Sequence, residues 1–197
     1  MRKKLFGIVA LLLLTPQWAS AHVPVPGLND FYNGLLHPFV SLPHLLILIA
    51  LGILLSQHPK KDSSMPTAAF LSSLAVGLGL ATFSIGFSTE TFLLLGAGLL
   101  GFLILLNWTV PYWSLGLFAV LTGLLMGLDF AGETVISKAA LNLGTGVTLY
   151  FVFVCVTGLG EGLGKKKWQQ IGLRIMGSWI AAIALLVLSL LLFVKKT

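Results

Sequence analysis

Two imidazoles stand seven residues apart in the run Gly34-Leu35-Leu36-His37-Pro38-Phe39-Val40-Ser41-Leu42-Pro43-His44. Everything around them is hydrocarbon-seeking. A titratable side chain at membrane depth is costly and marks a pathway or a binding site. Imidazole nitrogen is a ligand for divalent transition cations such as nickel, cobalt, copper and zinc. Seven residues is close to two helical turns, so on an uninterrupted helix both rings would share one face.

Carboxylates supply the complementary donors. Thr122, Met126 and Asp129 stand at i, i+4 and i+7 on one helical face. Asp129 reads either as an oxygen ligand or entrance charge for a cation, or as a solvated carboxylate at the membrane surface. Glu90, in the turn Ser88-Thr89-Glu90, carries the same two readings. The candidate metal set is therefore His37, His44, Glu90 and Asp129. Asp30 and Glu133 add acid on the same side of the membrane, where the group would draw cations. His22 is a further candidate: as a new N-terminus after processing, its amine and ring could chelate a metal, or it is a solvated tail residue.

Catalytic patterns are absent from the sequence. There is no His-Glu-x-x-His, no Gly-x-Ser-x-Gly and no pair of intramembrane aspartates. All four histidines precede residue 59, which leaves no histidine for a rhomboid-type serine enzyme on a later helix. The run Gly158-Leu159-Gly160-Glu161-Gly162-Leu163-Gly164-Lys165 imitates a phosphate-binding loop, but Leu159 replaces its first glycine and no Ser or Thr follows the lysine. The protein is read as neither an enzyme nor a nucleotide binder. No cofactor is expected, only a transported divalent ion such as nickel or cobalt.

These residues have to be held by membrane helices. Of 197 residues, 57% are hydrophobic and 9% charged, and the mean hydropathy is +0.99. That composition belongs to an all-α, polytopic helical membrane protein whose first partner is the lipid bilayer. Residues 1–21 read as a cleaved signal: Arg2-Lys3-Lys4, an apolar stretch, then Ala19-Ser20-Ala21. The formal charge of +6 falls to +3 without its three cations, and no basic stripe interleaved with aromatics suggests nucleic acid. The single cysteine, Cys155, excludes an internal disulfide and reads as a buried small hydrophobe.

Six apolar stretches follow, near 34–56, 67–88, 91–107, 112–130, 139–159 and 171–193, as a single domain over 22–197. The signal places the mature N-terminus outside. Lys60, Lys61 and Lys165 to Lys167 then fall in the cytoplasm, as the positive-inside rule expects, while Lys195 and Lys196 fall outside. Pro111 and Asn107 argue against fusing the third and fourth stretches. Pro38 and Pro43 interrupt the first stretch, with Ser41 placed to cap a helix restarting at Leu42. A bend there would flank both histidines and line an outward-facing cavity, since irregular backbone at membrane depth survives only inside protein or along a cavity. Gly123-x-x-x-Gly127 allows close helix approach, and Asn142 and Thr145 suit interhelical hydrogen bonds. A homo-oligomer is left open.

The segment from Gly34 to Leu46, followed by Leu51-Gly52, resembles the N-terminal signature of the HupE/UreJ family of membrane proteins that serve nickel or cobalt supply. The likeness extends to Glu90, to Gly123, Gly127 and Asp129, and to the closing Arg174-Ile175-Met176-Gly177-Ser178-Trp179-Ile180-Ala181-Ala182. It implies a multi-pass protein of the bacterial cytoplasmic (inner) membrane and a divalent cation permease. Against the family pattern, Pro43 stands where an Asp is expected. Thr122, Leu124 and Met126 replace a histidine-rich stretch, Asp129 replaces Glu, and Thr157 replaces a histidine. The alternative is a membrane accessory or scaffold protein that keeps the fold without transporting, and the softer donors Met126, Cys155 and Met176 leave copper as a third option.

Overall fold

The structure, a computed structural model, describes residues 27–58, 64–81, 89–108, 110–129, 135–163 and 166–194. The expected signal segment 1–21 lies outside them, as do His22, Glu133, Lys60, Lys61, Lys165, Lys195 and Lys196. The described residues form helices α1 (Asp30–Val40), α2 (Leu42–Ser56), α3 (Ser64–Ala81), α4 (Glu90–Leu106), α5 (Tyr112–Leu128), α6 (Val135–Leu163) and α7 (Lys167–Val194). They contain no strand.

The expected interruption falls at Ser41 alone. Pro38 sits inside α1, and α2 begins with Ser41 at its N-cap and Pro43 in its first turn. The two helices meet at a bend of 69°. Pro38 has no N–H to offer the carbonyl one turn back, at Gly34. That carbonyl accepts instead from Thr145 Oγ1 of α6 at 3.0 Å, and the neighbouring Leu35 carbonyl accepts from Thr148 Oγ1 at 2.9 Å. The backbones lie close enough for this because Gly34 and Gly144 leave no side chain between them: a Cβ at Gly34 would overlap the Leu141 carbonyl, and one at Gly144 the Phe31 carbonyl.

The same device joins the other helix pairs. Gly123 of α5 lies on Phe70 and Ser73 of α3, and Gly127 on Leu74 and Gly77, so α3 and α5 run parallel. Gly101 of α4 lies on Gly177 and Ala181 of α7, with Gly98 nearest Ala184, so that pair is antiparallel. α1 and α6 run parallel, since Gly144 meets Phe31 while Thr148 bonds Leu35.

α2 fills the centre. It is apolar on every face, with Leu48, Ala50, Leu51, Leu54 and Leu55 wholly buried, as a helix without a polar stripe must be. Outward the molecule shows hydrocarbon, such as Phe151 of α6 and Leu185, Leu186 and Phe193 of α7, which suits lipid as the surrounding solvent. Among the described residues, three helices are long and apolar enough to cross a bilayer, and the bent α1–α2 pair would make a fourth. The shorter apolar helices α4 and α5 have 17 residues each, about 26 Å at 1.5 Å per residue.

One helix end differs from expectation. α6 runs on to Leu163, past the expected end of the fifth stretch at 159. Gly160 is required by contact, because a Cβ there would strike the Ser56 side chain of α2. The separation of α4 from α5 is as expected. Asn107 takes the left-handed conformation (φ 51°) after α4, Trp108 N returns a bond to the Leu103 carbonyl, and α5 starts after Pro111. Arg174 Nε donates to the Leu105 carbonyl at 2.9 Å, satisfying another carbonyl of the last turn of α4. His58 lies between the carbonyls of Leu54 and Val110, each 3.1 Å from a ring nitrogen; it ties the end of α2 to the entry of α5.

If Thr145 serves the carbonyl freed by Pro38, Thr145→Val should lower stability by about 1–2 kcal/mol, read as a fall in melting temperature in detergent. In a Pro38→Ala background, where the helix supplies its own donor, the same substitution should cost clearly less.

Candidate metal centre

Four helix ends converge beside the bend. His37 lies in the last turn of α1, His44 in the first turn of α2, Asp129 at the C-cap of α5 and Thr89 at the N-cap of α4. One ligand atom from each of His37, His44 and Asp129 lies within 4.8 Å of the other two. The rings of His37 and His44 are edge to face, with centroids 5.6 Å apart and planes at 77°. On a straight helix seven residues would separate them by about 10 Å along the axis. The 69° bend is what brings them together.

Each ring nitrogen of His44 faces a polar side chain. Its Nδ1 is 2.5 Å from Ser41 Oγ, and its Nε2 is 3.5 Å from Asp129 Oδ2. Ser41 therefore occupies the expected N-cap position but makes no side-chain cap; its hydroxyl turns to the ring instead. With Nδ1 carrying the proton and donating to Ser41 Oγ, Nε2 presents its lone pair toward Asp129, the arrangement by which a second partner orients a metal-binding imidazole. The His44–Asp129 separation is close to the ~3.3 Å edge of a tetrahedron with bonds of ~2.0–2.1 Å. His44 is fully buried and the Asp129 side chain 9% exposed, which excludes the solvated reading of Asp129.

A carboxylate at a helix C-terminus faces the negative end of that helix. Asp129 is held there by a hydrogen bond from Thr89 Oγ1 to Oδ1, at the positive end of α4. The rest of the expected set lies apart. Glu90 is half-buried in the first turn of α4, next to Thr89, and is not among the three grouped donors. Thr122 and Met126 are buried in the same α5 face, at 2% and 0% exposure, and Met126 belongs to the hydrophobic core. Cys155 is half-buried and Met176 exposed, both outside the donor group. Asn142 Nδ2 donates to the Leu78 carbonyl of α3, so both expected interhelical bonds of Asn142 and Thr145 are present.

A void of about 400 Å³ lies one turn further along α2, bounded by Ile47, Phe92, Leu100, Phe118, Thr122 and Leu125 among others. Its walls are apolar apart from Thr122, and neither histidine lines it, so it is not the cavity expected at the bend.

The family model described as HupE / UreJ protein matches residues 9–187. The chain belongs to the HupE / UreJ family. The match covers the bend, all three grouped donors and most of α7. HupE / UreJ proteins are membrane-associated and linked to nickel or cobalt transport or to an accessory role; they are transporters or accessory proteins, not known enzymes. No curated protein and no solved structure matches the chain.

Two features of this HupE / UreJ chain escaped sequence reasoning. The pattern of Ser41 before Pro43 signals a helix cap and not the hydroxyl partner of His44, and Thr89 in its turn stands forty residues from the carboxylate it holds. Loss of the Ser41 hydroxyl should weaken cobalt(II) binding about 10- to 100-fold, measurable by titration calorimetry on the purified protein with Ser41→Ala. Ser41→Thr, which keeps a hydroxyl, should bind more tightly than Ser41→Ala.

Proposed function

We propose that this protein is a secondary permease that passes a divalent cation of the nickel or cobalt type inward across the bacterial cytoplasmic membrane. One observation carries the reading: two imidazoles and a carboxylate from three helix ends meet within 4.8 Å, in a chain whose exterior is hydrocarbon. Nitrogen with one oxygen suits borderline transition cations better than magnesium or calcium. His37, His44 and Asp129 hold the ion in transit. Glu90, beside Thr89 at the start of α4, is the rim charge that gathers cations. Broken helices whose ends meet at membrane depth are a recurring way to build such a transit site.

The proposed topology is a cleaved signal, 1–21, and one domain, 22–197, with six crossings counted as α1–α2, α3, α4, α5, α6 and α7. The helix directions support it. Alternating crossings require α1 parallel to α6, α3 parallel to α5, and α4 antiparallel to α7, which are the relations the glycine contacts give. The sequence offers no nucleotide-binding element, so uptake draws on an ion gradient or a partner subunit.

The accessory reading is favoured by a different observation. Pro43, buried in the first turn of α2 beside His44, replaces a carboxylate of the family pattern, and Thr122 and Met126 pack into the interior where the pattern has histidines. Three donors form a weaker site than the full set.

The deciding experiment is uptake of cobalt and nickel by cells expressing the wild-type protein, His37→Ala or His44→Ala. The expected outcome is uptake by the wild type alone; equal uptake by all three would place the ligands elsewhere, and none by any would favour the accessory role. Nickel affinity of the purified wild type should be modest, and Pro43→Asp should raise it in calorimetric titration. Single cysteines at Lys61 and Lys166 should react only with reagents that reach the cytoplasm.

A further inference from the structure

We infer that Thr89 sets which cations this site accepts, by occupying one oxygen of Asp129. The inference rests on the transit site proposed above and adds its selectivity. Thr89 is fully buried and stands at the N-cap of α4, the position where a threonine hydroxyl usually accepts from a backbone N–H of the first turn. Here it makes no such bond. It donates to Asp129 Oδ1 across forty residues of sequence. Its own carbonyl accepts from Leu93 N at 2.9 Å, so the residue is anchored to the helix whose end it forms, and its branched Cβ restricts the side chain to few rotamers.

The consequence lies in how a carboxylate is counted. With Oδ1 committed to Thr89, Asp129 turns Oδ2 toward His44 Nε2, 3.5 Å away. It offers a cation one oxygen. Calcium takes 6–8 oxygens and gathers them partly through bidentate carboxylates, and manganese(II) likewise belongs to oxygen-rich sites. A donor set of two nitrogens and a single oxygen discriminates against both. Removing the hydroxyl frees the carboxylate to rotate and bind through both oxygens, which raises the coordination number and favours the harder ions. Thr89 touches no cation itself; it is a positioning residue that acts through Asp129.

The test uses full-length purified protein and measures cobalt(II), manganese(II) and calcium(II) affinities of the wild type, Thr89→Val, Thr89→Ala and Thr89→Ser. Both hydroxyl-free variants should lower the cobalt-to-manganese affinity ratio about tenfold or more, and Thr89→Ser should restore it. The visible absorption of bound cobalt(II) should weaken in Thr89→Val and Thr89→Ala as coordination number rises, a change that mere loss of fold stability would not produce. Two hydroxyl-free variants guard against one that fails to fold. Unchanged ratios and spectra in the hydroxyl-free variants would overturn the inference while leaving the site intact. Failure of the wild type to bind any of the three ions would instead remove the site, and the selectivity with it.

Discussion

The break in the backbone at Ser41 is the constraint on which the rest depends. A continuous helix through this segment would keep His37 and His44 about 10 Å apart along its axis, too far for one ion to touch both. Ending α1 at Val40 and restarting at Leu42 folds that distance away, and the two rings come to 5.6 Å between centroids. Breaking a helix in hydrocarbon exposes carbonyls that have no water to turn to. Pro38, one turn before the break, frees the Gly34 carbonyl, and threonines on α6 donate to it and to the Leu35 carbonyl. The bend, the glycine-tight contact of α1 with α6 and the candidate site are therefore one construction.

The polar groups of the site are arranged in relation to helix ends. His37 lies in the last turn of α1, while Asp129 lies at the C-cap of α5, facing the negative end of that helix. The carboxylate is held in place by the buried hydroxyl of Thr89 and by the facing imidazole of His44. A cation arriving between these groups would resolve the misfit at the end of α5. This is why the carboxylate is informative where it stands, whereas an aspartate in the first turn of a helix would need no such explanation.

Much of this was legible in the sequence, for definite reasons. Apolar runs of membrane length mark helices because hydrocarbon tolerates few other residues, and Asn107 and Pro111 punctuate them through backbone geometry that acts locally. Ser41 and Pro43 located the restart of α2 for the same reason. The expected end of the fifth stretch at 159 misled because glycine serves two purposes. It marks turns, but at Gly160 it makes room for Ser56 of a neighbouring helix, and spacing alone does not separate the two. His37, His44 and Asp129 stood out as polar groups in apolar surroundings, and the fold groups them while leaving Glu90 to one side. Thr89 carried no comparable signal. A threonine before a helix has an ordinary local explanation, and its partner is chosen by the packing of α4 against α5, which no local pattern encodes.

The glycine contacts also determine where the molecule is stiff. In the pairs α1 with α6, α3 with α5 and α4 with α7, main chain rests on main chain or on short side chains, leaving no flexible spacer to deform. Each pair is mechanically a plank. The joint between two planks, where α4 and α5 face each other across the 400 Å³ void near Phe92 and Leu125, has hydrocarbon side chains and empty volume in place of backbone contact. That seam is packed through side chains alone. Thr89 and Asp129 sit at its end, one on each plank, so the hydrogen bond between them ties the two planks together across that seam.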